Sequence, residues 1–407
     1  MSRIGSALES PSGIVTLLCT SAIGTFLAQG LLYPALPLYL HEDLGTSLGI
    51  AGLIVASQSI SAVVARPWAG HRLDAHGRKA FLIAGPLITA GTGVGLLAMR
   101  SLAAVLVLRL MQGVANAMFY GAATATVADV APPERRATFL ARYSLFFYLG
   151  FATGPAVAEI LIIRSGFEAV WWTVIGSSVF GALLAVWLPE TGTPNKDAEK
   201  LPMRTRLFHP AAIGPGIPYF CAGVGWTSIG AFLALYSRSI GMTSSGGLFA
   251  ALSISVMVTR SLSGNLADRY GRRAVTIPCS LLCALGLTVL ALFQFPFAAF
   301  VAVILFATGY AGLYPTMLAM VVDDAPVAER GQAMGSFNMF FDIGAPLGGF
   351  LTGRLVDVSG YRAGFGAMAV IAMIGSLLLI SNVIDRRRTT GHFGVTNTTP
   401  RPSPEGA

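Results

Sequence analysis

The stretch GHRLDAHGRKAF, residues 70–81, puts six charged or histidine side chains into twelve residues, and GNLADRYGRRAV answers it at residues 264–275. Arg66, Gly70, Asp74, Gly77 and Arg78 recur as Arg260, Gly264, Asp268, Gly271 and Arg272, a constant offset of 194 residues. The same offset carries SIS at 59–61 to 253–255 and LFFYLG at 145–150 to MFFDIG at 339–344. It also carries Asp129, Ala131, Pro132 and Arg136 to Asp323, Ala325, Pro326 and Arg330. A single offset held over roughly ninety residues marks a duplicated unit.

The sequence around these turns is apolar. Hydrophobic residues make up 54% and charged residues 11% of the 407, with 47 glycines, whereas a soluble domain carries about 25% charged residues. Uncharged runs of about 20 residues, long enough to cross a hydrocarbon core of roughly 30 Å, fall near 14–40, 48–69, 80–99, 102–128, 138–163, 169–188, 210–236, 247–266, 275–294, 297–322, 332–356 and 363–384. In lipid each segment must satisfy its own backbone, so all twelve are predicted to be helices; no barrel-like alternation is present. The expected fold is an all-α membrane protein of twelve transmembrane helices in two pseudo-symmetric six-helix bundles. Residues 1–188 form the first bundle, 189–208 a polar cytoplasmic linker, 209–388 the second bundle, and 389–407, rich in Pro, Thr and Gly, a disordered cytoplasmic tail.

The formal charge of +8 does not imply a nucleic-acid partner, because of where the basic residues fall. Arg78, Lys79, Arg135, Arg136, Arg272, Arg273 and the run Arg386, Arg387, Arg388 cluster on one side, while Arg100, Arg164, Arg238 and Arg362 fall at the opposite ends of the spans. The positive-inside rule then places both termini in the cytoplasm and the chain in the cell membrane. The first apolar run lacks a signal-peptide cleavage site and is expected to be retained. Cys19, Cys221, Cys279 and Cys283 lie inside predicted spans and read as small packing groups. The five histidines show no metal-ligand spacing, and the sequence has no Walker loop, dinucleotide fingerprint or nucleophile elbow. No metal, no cofactor and no enzymatic activity are expected.

Two parallel repeats, each with a Gly-Asp-Gly-Arg turn between its second and third helices, resemble the major facilitator superfamily over essentially the whole chain. Gly264, Asp268, Arg269, Gly271, Arg272 and Arg273 fit the family's turn pattern completely; the first copy, Gly70, Asp74, Gly77, Arg78 and Lys79, has Ala75 where a basic residue is usual. The expected role is a latch, with Asp129 partnering the first basic pair and Asp323 or Asp324 the second. RLMQGVAN in the fourth span matches the family pattern at Arg109, Gln112 and Gly113, which implies a part for Arg109 in proton coupling or substrate binding; snorkelling to the interface is the other reading. In GFATGPAVAE, Gly150, Gly154 and Pro155 are similar to the bending motif of the family's exporters, although Ala158 and Glu159 replace its usual paired glycines, and close helix packing alone accounts for the same small residues.

Asp342 and Glu159 are the two acids well inside predicted spans. A charge at bilayer depth costs about 2.5–3.5 kcal/mol even on insertion scales, so each needs a partner or a function. Asp342 reads either as a proton-coupling or cation-recognition site, or as half of a structural pair with Arg354 or Arg260. A direct Glu159 to Arg109 pair is a further expectation. Gln29, Tyr33, Asn116, Tyr120, Trp226, Tyr310, Tyr314 and Asn338 are candidate cavity-lining groups. Together with the resemblance, these residues predict a monomeric secondary transporter that exports a small amphipathic compound in exchange for protons. Proton-coupled uptake of a sugar or other metabolite is the alternative.

Overall fold

The structure is a computed structural model and describes residues 10–132, 135–191, 209–326 and 330–391. Most of the expected linker and tail, and the side chains of Asp74 and Asp268, lie outside the described residues. Ten helices are described: α1 Pro11–Glu42, α2 Leu48–His76, α3 Lys79–Ala98, α4 Leu102–Val130, α5 Arg136–Val186, α6 Pro210–Ser239, α7 Gly246–Tyr270, α8 Arg272–Leu292, α9 Pro296–Asp324 and α10 Arg330–Gly391. Among the described residues nine are long and apolar enough to cross a membrane, and the described apolar part of α7 is Gly246–Leu262. Local chemistry sets several starts. Ser10, Ser47 and Ser101 each accept a hydrogen bond from the backbone three residues on, at 3.1, 3.3 and 3.2 Å, which satisfies a donor the helix itself cannot.

Ten continuous helical elements stand against the twelve expected runs, because two of the elements each hold two runs joined at a kink. The runs predicted at 138–163 and 169–188 form one element, α5, bent at Gly166 (φ 76°, ψ −175°), and those at 332–356 and 363–384 form α10, bent at Gly360 (φ 79°, ψ 176°). A glycine at positive φ redirects the chain within a single residue, so no loop separates the two arms. Gly166 and Gly360 are themselves 194 residues apart, as are Gly77 and Gly271, which also adopt positive φ. The duplication is therefore written in the backbone as well as in the side chains. α10 also continues through 389–391, where the tail was expected to begin.

Buried clusters form around Phe26, Phe119 and Tyr143 and around Trp171 in the first half, and around Phe232, Phe306 and Phe337 in the second, the last also taking in Leu38 and Leu48 of the first half. Small residues set how closely helices approach. A Cβ added at Gly154 of α5 would lie 2.4 Å from the backbone of Gly30 in α1, and one at Gly348 of α10 would lie 2.3 Å from the Val224 carbonyl in α6. These two glycines again share the 194-residue offset. Because the obstacle is backbone, it cannot rotate aside, and Gly154→Ala is expected to cost about 1–3 kcal/mol, seen as a lower melting temperature of the purified protein. Gly176→Ala, with nothing within 4 Å, should be neutral or slightly stabilising.

The halves meet tightly at the end of the bundle that carries residues 43–47 and 240–245, here called the far end; the turns at Gly77 and Gly271 lie at the linker end. A Cβ at Gly52 of α2 would fall 2.2 Å from the Gly349 carbonyl of α10, and one at Gly353 would fall 2.3 Å from the Leu48 carbonyl. Two carboxylates reinforce this closure. Asp357 of α10 accepts from Leu48 N (3.0 Å) and Gly49 N (2.8 Å) at the start of α2. Glu159 of α5 accepts from Ser245 N (2.9 Å) and Ser245 Oγ (2.5 Å) at the start of α7. In each case an acid of one half sits on a helix N-terminus of the other, where unpaired amides and the helix dipole favour negative charge.

Candidate functional site

Between the halves lies a cavity of about 190 Å³. Its wall draws Gln29 and Tyr33 from α1, Asn116 and Tyr120 from α4, Trp226 from α6, Tyr310 and Tyr314 from α9, and Asn338 from α10. All eight candidate lining residues are thus brought together, and Arg109 and Asp342 face the same space. The wall is strongly aromatic: Trp226 and Tyr310 stack with centroids 4.5 Å apart, and the Tyr219 and Tyr310 hydroxyls lie 3.3 Å from each other. Gln58 Nε2 donates to Gln29 Oε1 at 2.7 Å and ties α2 to α1 at the wall.

Asp342 pairs with Arg66 of α2, a contact that crosses between the halves; Arg66 Nη2 also donates to Asp342 Oδ1 at 3.3 Å. This replaces the expected partners Arg354 and Arg260. Arg260, the repeat equivalent of Arg66, instead lies over the ring of Tyr148, 3.6 Å from its centroid, with Tyr314 at 5.3 Å. Tyr148 is the repeat equivalent of Asp342. The duplication therefore yields two related contacts between halves, a guanidinium on a carboxylate in one and a guanidinium on an aromatic face in the other.

Arg109 is buried, with 3% exposure. Its Nη1 donates to Gln112 Oε1 and its Nη2 to the Val55 carbonyl, both at 2.7 Å, and Gln112 Nε2 passes the chain on to Thr92 Oγ1 at 2.8 Å. The side chain does not snorkel. The expected Glu159 to Arg109 pair is not formed: Glu159 is engaged by Ser245, because α5 presents it to the start of α7 rather than to α4. Gly150 and Gly154 pack on α1, against the backbone of Ile23 and of Gly30, and Pro155 lines a small recess of about 20 Å³ beside the main cavity.

At the linker end, Arg78 Nε donates to Asp129 Oδ2 at 3.3 Å, and Arg272 pairs with Asp323. The first turn has an additional anchor: Glu190 accepts from Arg78 N (2.6 Å) and Lys79 N (3.1 Å), and a Cβ at Gly77 would fall 2.6 Å from its carboxyl. A Cβ at Gly271 would meet nothing within 4 Å among the described residues, and Arg269 lies 5.5 Å from the ring centroid of Tyr270. The two copies of the turn are thus alike in backbone and in one ion pair, and differ in Glu190.

The model of the Major Facilitator Superfamily matches residues 18–217 and 216–403. The chain belongs to this superfamily. Among its relatives, an uncharacterised MFS-type transporter of Pseudomonas aeruginosa is 27% identical over 391 residues, covering 93% of this chain and 94% of that one. The uncharacterised MFS-type transporter YhhS of Escherichia coli is 24% identical over 362 residues, covering 87% and 88%. Two solved structures share the fold: the human organic anion transporter MFSD10 (TM-score 0.68, 20% identity, 90% of this chain and 98% of that one) and the nucleoside transporter NupG (TM-score 0.71, 17% identity, 90% and 99%). The protein is accordingly a multi-pass membrane transporter of the superfamily.

Within this superfamily member, sequence reasoning passed over Arg66, Glu190, Asp357 and Ser245. For Arg66 a signal was present. It lies within the run predicted at 48–69, as Arg260 lies within 247–266, and a cation inside a span demands a partner as much as an acid does. Asp357 and Ser245 lie at span ends, where a polar residue is unremarkable until the neighbouring helix is known.

Proposed function

We propose that this transporter is proton-coupled and exports a small amphipathic organic compound from the cytoplasm by alternating access. One observation carries the reading: an ion pair, Arg66 to Asp342, joins the two halves on the wall of a central aromatic cavity. A proton on Asp342 removes the charge that holds Arg66, so protonation loosens the tie between halves, and loss of the proton restores it. In this scheme proton and substrate occupy the cavity in alternate phases of the cycle. Counting each bent helix as two arms gives twelve spans; the 51 residues of α5 would extend about 77 Å as one straight rod, far beyond a core of roughly 30 Å. We place the far end outside the cell, both termini in the cytoplasm, and the two six-helix halves at 1–188 and 209–388, acting as a monomer without a cofactor.

The efflux direction draws support from Gly150, Gly154 and Pro155, which keep α5 closely packed on α1 and bordering the cavity recess. Uptake by symport is the competing direction, favoured by the Ala158 and Glu159 departure from the exporter pattern. Flux in proteoliposomes with imposed pH gradients separates them. Export predicts that an inward proton gradient drives compounds outward. Compounds that move only inward with protons would establish symport instead.

A further inference from the structure

We infer that the substrate is an organic monoanion whose acid group docks on Arg109 while its apolar body lies among the aromatic side chains of the same cavity. This rests on the transport reading above and names its substrate class.

The inference comes from matching charges on the wall. Among the described lining residues there are two guanidiniums, Arg66 and Arg109, and one carboxylate, Asp342. Asp342 is taken by Arg66. Arg109 has no acid beside it: its described partners are the amide oxygen of Gln112 and the carbonyl of Val55, both neutral, and its Nε has no partner. A guanidinium carries five N–H donors, and two are used here. A cation buried to 3% exposure at this depth is costly without a counter-charge. A carboxylate or sulfonate on the ligand would supply both the missing charge and acceptors for the unused donors, in the planar two-pronged geometry that suits a guanidinium.

Position supports the same assignment. Arg109 reaches Val55 on α2, eleven residues from Arg66, or roughly 16 Å along the helix, toward the closed far end. The anion site is thereby separated from the Arg66 to Asp342 tie, and a bound acid group leaves that tie intact. Tyr33 and Trp226 line both the main cavity and the recess beside it, whose other walls include Phe249, Leu252 and Val256. An aromatic or branched alkyl body fits such walls. A cation would meet a wall with one surplus positive charge. A neutral compound would leave Arg109 uncompensated, and a dianion would bring more charge than the wall can match.

The test uses full-length protein in detergent or nanodiscs, titrated with matched phenylalkanoates, their amides and the corresponding phenylalkylammonium ions, and read by thermal shift and tryptophan fluorescence. The anions should bind at least about tenfold tighter than the isosteric amides, as one charge-assisted contact implies. Arg109→Gln should erase that preference and Arg109→Lys should keep part of it. Amides or ammonium ions binding as well as the anions would overturn the proposal. So would a preference that persists in Arg109→Gln at an unchanged melting temperature. If Arg109→Gln does not fold, the comparison of the three probe classes on the unaltered protein still decides. Parallel flux measurements separate the two levels of the reading: movement of neutral or cationic members alone removes the charge assignment, while anion movement that is indifferent to an imposed proton gradient removes proton-coupled export and leaves the charge assignment standing.

Discussion

Asp342→Asn is expected to reduce gradient-driven transport to the level of empty vesicles while leaving folded protein in the membrane. Asparagine has nearly the shape of aspartate but cannot take up or release a proton, so the contact with Arg66 no longer responds to pH. The cost in stability should stay below the 3–5 kcal/mol typical of a broken, fully buried pair, because the Arg66 side chain keeps 30% exposure while Asp342 keeps 7%. Proton-driven flux and downhill exchange measured on the same vesicles give the decisive comparison: the first should vanish and the second persist. A variant that still accumulates substrate against a gradient would remove Asp342 from the coupling step. Arg66→Gln combined with Asp342→Asn, which leaves neither charge stranded, should recover stability without recovering coupling.

The second large effect is expected at the far end. Glu159→Ala with Asp357→Ala should shift the protein toward conformations open at that end. Each carboxylate accepts two hydrogen bonds at a helix start of the opposite half, and contacts to a charged group contribute about 1.5–3 kcal/mol apiece. Losing one such contribution at each site amounts to about 3–6 kcal/mol, against the ~5.5 kcal/mol that moves a two-state equilibrium from 1:99 to 99:1. Spin labels at exposed Asp43 and Thr243, one in each half, would report the change as a longer distance distribution, and the four native cysteines are buried and should label slowly. The Glu42 to Arg238 pair nearby is a useful contrast. Its side chains are about a third exposed, at 34% and 38%, so Glu42→Gln should change the distribution little. Distances unaltered in the double variant would mean that the glycine contacts of Gly52, Gly349 and Gly353 close the far end without the acids.

Much of this arrangement was legible in one dimension. The fixed offset announced the duplication, and the apolar runs located the helices to within a few residues. Gln29, Tyr33, Asn116, Tyr120, Trp226, Tyr310, Tyr314 and Asn338 could be named as wall candidates because they are polar or aromatic groups inside predicted spans, and the structure finds them around one space. The turns at Gly77 and Gly271 and their partners Asp129 and Asp323 were also readable, since repeat copies constrain each other. The breaks between the fifth and sixth and between the eleventh and twelfth runs fall at the glycine bends of α5 and α10, which turn the chain without interrupting the helical element.

What the chain determined by itself is therefore its solvent, its twofold plan and the height of each polar side chain along its helix. A rise of 1.5 Å per residue converts position into depth wherever a helix must cross an apolar layer. The tertiary structure alone decided which groups at a given height face each other. Asp342 meets Arg66 across 276 positions of sequence, Glu159 caps α7 instead of meeting Arg109, and Arg109 is left among neutral partners. Depth follows from local hydropathy, whereas the direction a side chain faces follows from how every helix packs on its neighbours. That packing is set by backbone contacts such as Gly154 on Gly30 and Gly349 on Gly52, which join segments far apart in the chain.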